Sequence, residues 1–365
     1  MNISIFASIG CQNLGDELIL KNEIKIFEKI YNDKKINFRV FSYDVKNPFF
    51  SKKNVTYLEY FPIGIRQKKN FFRNIKNFFV FIRSVIWSNL IVVGGGGIIY
   101  DNEIQANNTP LDQLIFRNKI FKLFRKKVIY YAVGINIKNK ENLSKLPLIF
   151  SSAHKVYVRD ASSFKTLEKL KITAEIIDDP VFFDNINNPK IIDNKPVLDI
   201  KEKDVFLKEI ESTKFSLKDL ENIDYSNKKI GITFRAGQIG KSGNEKIEIF
   251  MIRELIELLL SKNAQVFFLP HSINKTDEKS NDLDYYKNII SGAKLENKVY
   301  LIQDLNEVYS FYKDKKIDLC LSMRLHSMIL SQVYEIPFVA FSYSKKTEEL
   351  VKKIRQDSIT QKIGD

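Results

Sequence analysis

"IDLCLSMRLHSMILSQVYEIPFVAFSY", from Ile317 to Tyr343, reads as strand, helix and strand in succession. The apolar run breaks at Ser322. Leu325, Met328, Ile329 and Val333 then recur at helical spacing, and Pro337 opens a second apolar run. Two strands joined by a helical crossover lie parallel, because a tight turn cannot reverse the chain for a parallel pair.

The same alternation extends outward in both directions. Upstream of this stretch stand "KIGITFR" (229–235), a helical 246–262, "QVFFLPH" (265–271), a helical 282–293, "KVYLIQ" (298–303) and a helical 305–314. The N-terminal half alternates likewise, from "NISIFAS" (2–8) through "NLIVVGGG" (89–96) and "KVIYYAVG" (127–134) to "KVYVRD" (155–160). The expected fold is α/β, with parallel sheets in two Rossmann-like domains facing a cleft, and ligands at the carboxyl ends of the strands. Between them, from about Asn185 to Lys229, the chain turns polar and reads as a linker or insertion. The expected division is residues 1–185, a polar 186–229, and 230–365. No internal repeat is visible.

The 365 residues carry 58 Lys and Arg against 44 Asp and Glu, a net charge of +14. Two readings fit equally: an anionic partner such as phosphate or an acidic membrane face, or a Lys-, Asn- and Ile-rich background composition. No nucleic-acid reading motif accompanies the charge, so nucleic acid is not an expected partner. Two cysteines, Cys11 and Cys320, offer neither a disulfide framework nor metal-ligand spacing. No metal or cofactor is expected. The N-terminus reads as a first strand, not a signal peptide, and no apolar run is long enough to span a membrane. The expected location is cytoplasmic. The segment from Ile65 to Trp87 mixes cations with aromatics. It reads either as a helix packed on the first sheet or as a basic amphipathic segment lying on the inner, anionic face of the cell membrane.

Candidate site residues cluster where strands end. "IGCQNLGDE" follows the first strand without the dinucleotide-binding glycine spacing. Gly15 permits a tight turn there, while Asn13 and Asp16 can cap the helix or bond hydroxyls. Four consecutive glycines, Gly94 to Gly97, suggest close approach of a ligand or another backbone, which makes Gly95, Gly96 and Gly97 cleft-lining candidates. Asp179-Pro180 reads as a turn, and Asp282 as a helix cap. Arg235 and His271 each end a strand. Ser322 is placed to cap the helix after it, leaving Arg324 and His326 in the first turn. Cations there oppose the helix dipole, so they make sense if an anion binds at that terminus. Lys345 repeats the scheme one unit later, behind Ser342 and Ser344.

These landmarks together resemble the polysaccharide pyruvyl transferase family. "GCQNLGDELIL" (10–20), "VVGGGGIIYD" (92–101), "YAVGI" (131–135), "VRDASSFKTLEKL" (158–170), "DDPVF" (178–182), "GITFR" (231–235), "FLPHS" (268–272) and "SMRLHSMILS" with "IPFVAFSYSKK" (322–346) follow the family's order. The resemblance implies a GT-B-like fold and transfer of the enolpyruvyl group of phosphoenolpyruvate to a sugar diol, giving a pyruvate ketal in cell-surface polysaccharide. It places the family's Arg-Leu-His motif on Arg324, Leu325 and His326, and its donor-binding arginine on Arg235. His326 is then the expected catalytic acid. Arg324, Arg235, Lys345, His271 and Ser322 are the expected donor-binding set, with the acceptor, a glycan or lipid-linked saccharide, on the N-terminal side. The chain ends soon after "SYSKKTEELVKKI" (342–354), so a closing helix returning to the first domain is not expected. Two alternatives stay open: a GT-B glycosyltransferase using a nucleotide sugar, and a non-catalytic glycan-binding member.

Overall fold

The structure, a computed structural model, describes residues 1–61, 71–101, 110–198, 205–239, 245–273, 281–291, 295 and 297–360. The chain divides into two compact units: residues 1–11 with 16–198, and residues 12–15 with 199–365.

The first unit runs β1 (Asn2–Ile9), α1 (Leu14–Ile30), β2 (Asn37–Ser42), β3 (Val55–Glu59), α2 (Phe71–Trp87), β4 (Leu90–Tyr100), α3 (Pro110–Leu123), β5 (Lys127–Asn136), α4 (Leu146–Ile149), β6 (Ala153–Val158), α5 (Ala161–Lys169), β7 (Glu175–Ile176) and a hairpin of β8 (Lys190–Ile192) and β9 (Lys195–Val197). Its seven-stranded sheet has the order β3-β2-β1-β4-β5-β6-β7, parallel throughout. The direction of winding reverses between β1 and β4, the position where such sheets open a ligand crevice. β4 shows why the strands read as unbroken apolar runs. Leu90 and Val92 join the core on one face, Ile91 and Val93 the core on the other. A central parallel strand is covered on both sides, so neither face needs polar residues.

The second unit runs β10 (Phe206–Glu211), β11 (Lys229–Thr233), α6 (Glu245–Ser261), β12 (Gln265–Phe268), α7 (Asp282–Ser291), β13 (Val299–Leu301), α8 (Leu305–Lys313), β14 (Leu319–Ser322), α9 (Leu325–Val333), β15 (Phe338–Ser342) and α10 (Lys345–Thr360). Its sheet order is β10-β15-β14-β11-β12-β13, again parallel. The reversal here falls between β11 and β14, with Thr233 opposite Ser322 at their ends.

The polar stretch 186–229 carries the passage from the first unit to the second and is more than a linker, since it also holds β8, β9 and β10. Its first part closes the hairpin through Asp193 and Asn194, both at positive φ, the backbone a two-residue turn between twisted strands requires. A later part supplies β10, the edge strand of the second sheet. An edge strand is half solvated, so its charged residues disguise it. Residues 199–204 of this stretch lie outside the described residues.

Candidate functional site

In the second unit Ser322 of β14, Ser327 of α9 and Thr233 of β11 act as staples. Ser322 is fully buried. Its hydroxyl lies 2.6 Å from that of Ser327 on α9, and Ser327 lies 2.7 Å from the Thr233 hydroxyl on β11. Ser322 therefore does not cap α9. Arg324 holds the N-cap position, and its side chain makes no capping bond. The hydroxyls lock the two central strands to the helix that follows, which fixes where the next side chains start.

Arg324 does not stand open at the helix mouth. Its Nε donates to Asp282 Oδ2 at 3.1 Å, and its Nη2 donates to Oδ1. Asp282 is 2% exposed. Its Oδ2 also accepts the backbone N–H groups of His271 and Ser272, each at 3.0 Å. Asn281, not Asp282, caps α7, accepting from Leu283 N at 3.1 Å. Burial pushes the Asp282 carboxyl up, while Arg324 and the two N–H groups oppose that push. Desolvation alone would lower Arg324, and Asp282 more than offsets it. The pair ties the loop after β12 to the loop after β14.

His271 is buried in the same knot. Its Nε2 lies 2.9 Å from the Tyr312 hydroxyl, and Nδ1 has no hydrogen-bond partner. Desolvation, then Arg324 and His326, push it well below the usual histidine range. Burial therefore opposes any role for His271 that needs a charged imidazole. Lys345 is exposed at the first position of α10, with Ser344 rather than Ser342 at the cap: Ser344 N donates to Thr347 Oγ1 at 3.1 Å. Ser342 bonds Glu209 instead.

Two expected residues remain placed for chemistry. Arg235 follows β11, half-buried, and its guanidinium makes no ion pair or hydrogen bond among the described residues. His326 is the second residue of α9, and its ring lies against Gly15. A Cβ on Gly15 would sit 1.8 Å from Nδ1. Residues 12–15 belong to this unit. Asn13 bridges Ser272, and Leu14 N donates to the His271 carbonyl at 2.8 Å. Asn13 also accepts from Gly15 N at 3.0 Å, so Asn13 is the cap of α1.

Glu248 was missed in the sequence. From α6 it accepts the N–H groups of Gly237, Gln238 and Ile239, the first at 2.7 Å. The turn after β11 is thus filled by the protein's own carboxylate. No spacing rule would have found a partner separated by a turn of undistinguished sequence.

In the first unit the glycine run serves packing more than binding. A Cβ on Gly94 would meet Glu23 at 2.6 Å, and one on Gly95 would meet Ile19 at 1.9 Å. Gly95 therefore seats α1, the close approach of another element that the glycine run suggested. Gly96 faces Asp16 Oδ1, and Gly97 borders an opening. That pocket, about 120 Å³, lies at the carboxyl ends of β1 to β4, bounded by Ser8, Asp16, Tyr43, Tyr60, Gly97 and Arg117 among others. Glu23 was also missed. Both its carboxyl oxygens are buried without a partner, and desolvation, then Asp179, push it well above the carboxylate range. Asp179 caps the turn at Pro180–Phe183 and pairs with Arg159 at 2.7 Å, so the turn reading of "DDP" stands.

A sequence model of the family described as "Polysaccharide pyruvyl transferase" matches residues 13–345. A comparison with curated proteins returned no match. Among solved structures, the chain is similar to UDP-GlcNAc 2-epimerase from Methanocaldococcus jannaschii, at 13% identity and a TM-score of 0.52, over 97% of this chain and 92% of that one. The same enzyme in complex with UDP-GlcNAc and UDP gives 11% identity and a TM-score of 0.50, over 98% and 93%. At such identities the likeness concerns the fold: GT-B-like, with two Rossmann-like units.

Proposed function

The chain belongs to the polysaccharide pyruvyl transferase family, and from that premise we propose that it moves the enolpyruvyl group of phosphoenolpyruvate onto a sugar diol, closing a pyruvate ketal and releasing phosphate. The observation that carries this reading is the end of β11 and β14. There the uncommitted Arg235 and the N-terminus of α9, bearing His326, follow two hydrogen-bonded strands. A guanidinium beside a helix N-terminus suits a ligand with both a phosphate and a carboxylate.

In this proposal His326, as imidazolium, gives a proton to the methylene carbon of phosphoenolpyruvate. The adjacent carbon becomes cationic and takes a sugar hydroxyl. Its bond to the phosphate oxygen then breaks, and a second hydroxyl closes the ring. The two hydroxyl protons leave, one restoring His326 and one passing to phosphate or water. Arg324 acts through position: its pairing with Asp282 holds the start of α9 in place. The acceptor binds through the first unit, where Asp16 and Gly97 border the pocket.

The test is phosphate release from phosphoenolpyruvate in the presence of a panel of galactosides and N-acetylhexosaminides, with mass analysis of the saccharide. An added pyruvate ketal supports the reading. Nucleotide release from a nucleotide sugar, without phosphate release, would replace it with a glycosyltransferase.

The protein also makes, in this proposal, a peripheral contact with anionic membrane through α2. One face of that helix is buried at Phe81 and Val85, as the packed-helix reading expects. Its other face exposes Phe72 (82%), Phe79 (58%) and Ile86 (56%), with Lys76 and Arg83 also outward. Apolar rings beside cations suit the interface of an anionic bilayer. Residues 65–70 of the expected segment lie outside the described residues. No helix among the described residues is long and apolar enough to cross a membrane.

A further inference from the structure

One buried cation of the first-unit pocket pairs with no carboxylate among the described residues. Arg117, on α3, is 4% exposed. Its Nε and Nη2 donate to the Phe61 carbonyl at 3.2 and 2.9 Å, and Nη1 donates to the Tyr60 hydroxyl at 3.1 Å. Nη2 also reaches Gln113 Oε1 at 3.4 Å. All these acceptors are neutral. Arg159 and Arg324, with side chains 10% and 13% exposed, each meet a carboxylate. Arg117 meets none among the described residues. A guanidinium has five N–H groups, and those four bonds leave one on Nη1. An enclosed cation without an anion is costly, so a site that retains one is built for an anion from outside.

The remaining walls suit a sugar. Tyr43 stacks on Tyr60 with centroids 4.5 Å apart and an angle of 17°. Tyr43 and Tyr100 are 43% and 40% exposed, so each offers ring surface to a ligand. Asp16 and Ser8 also border the pocket and can bond hydroxyls. The opening sits at the reversal between β1 and β4, where open parallel sheets place their ligands.

We propose that this pocket binds a saccharide bearing an anionic substituent, phosphate or carboxylate, with Arg117 taking the anion and the tyrosines the ring. That the saccharide is the acceptor rests on the pyruvyl-transfer reading. Its chemical class does not.

The experiment is calorimetric titration of the full chain, without phosphoenolpyruvate, using N-acetylglucosamine against its 1-phosphate and galactose against galacturonate. The charged member of at least one pair should bind about tenfold more tightly or better, and which pair responds identifies the anion. Gln113→Glu places a carboxylate beside Arg117 without changing side-chain length. It should keep or raise the melting temperature and erase the preference. Arg117→Gln should erase it too, and Lys122→Gln on the same helix should leave it intact. Equal binding of charged and neutral sugars by the wild type would overturn the proposal. So would a preference that survives Gln113→Glu, one that falls equally in Lys122→Gln, or full displacement of the sugar phosphate by phosphoenolpyruvate. Because no turnover is measured, failure of the transferase reading leaves these outcomes readable.

Discussion

Arg324 grips Asp282 through both Nε and Nη2, inside a knot that also holds the His271 and Ser272 backbone. The arginine of the Arg-Leu-His motif is therefore half of a buried ion pair. Arg235 pairs with no carboxylate among the described residues.

The two arginines should fail differently. Arg324→Ala strands a buried carboxylate and should cost about 3–5 kcal/mol of stability, read from urea denaturation. Arg235→Ala should leave stability within about 0.5 kcal/mol and weaken phosphoenolpyruvate by roughly 1.5–3 kcal/mol, the worth of a hydrogen bond to a charged group. Unchanged donor affinity in Arg235→Ala, measured calorimetrically, would remove that residue from the donor site.

His326→Gln should retain much of the donor affinity, since Arg235 and the α9 N-terminus persist. Turnover should fall by about a hundredfold or more. With the wild type in deuterated water, label should enter the product methyl group. Near-normal turnover of the variant would move the acid role to another residue. A parallel loss of binding and turnover would make His326 an anion ligand only.

Gly15→Ala is a quieter probe of the same ring. The backbone there is not left-handed, and alanine favours a helix by roughly 0.5–1 kcal/mol. The added Cβ would fall 1.8 Å from His326 Nδ1, so the imidazole must move. Turnover should drop with little change in melting temperature. An active variant with an undisturbed His326 signal in proton NMR would show that the ring's seat is unimportant.

Acid groups buried in the first unit should make stability fall as pH rises. Glu17, enclosed while accepting from Gly10 N at 2.8 Å, is pushed up to about 7, chiefly by burial. Its folded form keeps the proton that the unfolded chain releases near 4.5. Its contribution is whole below about pH 4.5 and is lost as pH rises through about 7. Glu23, pushed up further by burial and by Asp179, acts in the same direction. Glu23→Gln should be close to neutral in acid and stabilising above neutral pH. Denaturation curves that gave the variant the same offset at every pH would contradict a protonated Glu23.

Membrane contact should depend on the outer face of α2. Wild-type protein should cosediment with phosphatidylglycerol vesicles at low salt and release as salt screens the cations. Phe72→Asp with Phe79→Asp should abolish binding without unfolding, since both rings are exposed. Equal sedimentation of the double variant would assign the helix to packing alone.

The alternation of apolar runs and 3.6-periodic stretches carried the α/β class, both parallel sheets and nearly every central strand. Those features follow from local pattern, because a strand buried on both faces must be apolar along its length. The ordered landmarks carried the family. β10 escaped because a half-solvated edge strand shares its composition with a linker. The roles inside the site needed the folded chain. Asp282 and Arg324 lie 42 residues apart, and only the adjacency of β11, β12 and β14 brings their loops into one buried knot. The glycine run left open whether a ligand or another element approaches Gly95 until α1 lay across it, and nothing in the sequence of α3 sets Arg117 apart until Tyr60 and Phe61 close around it. A sequence shows which side chains can carry charge; which charges are neutralised depends on partners brought close by topology, and that is settled only when water is excluded and each buried polar group must find its match.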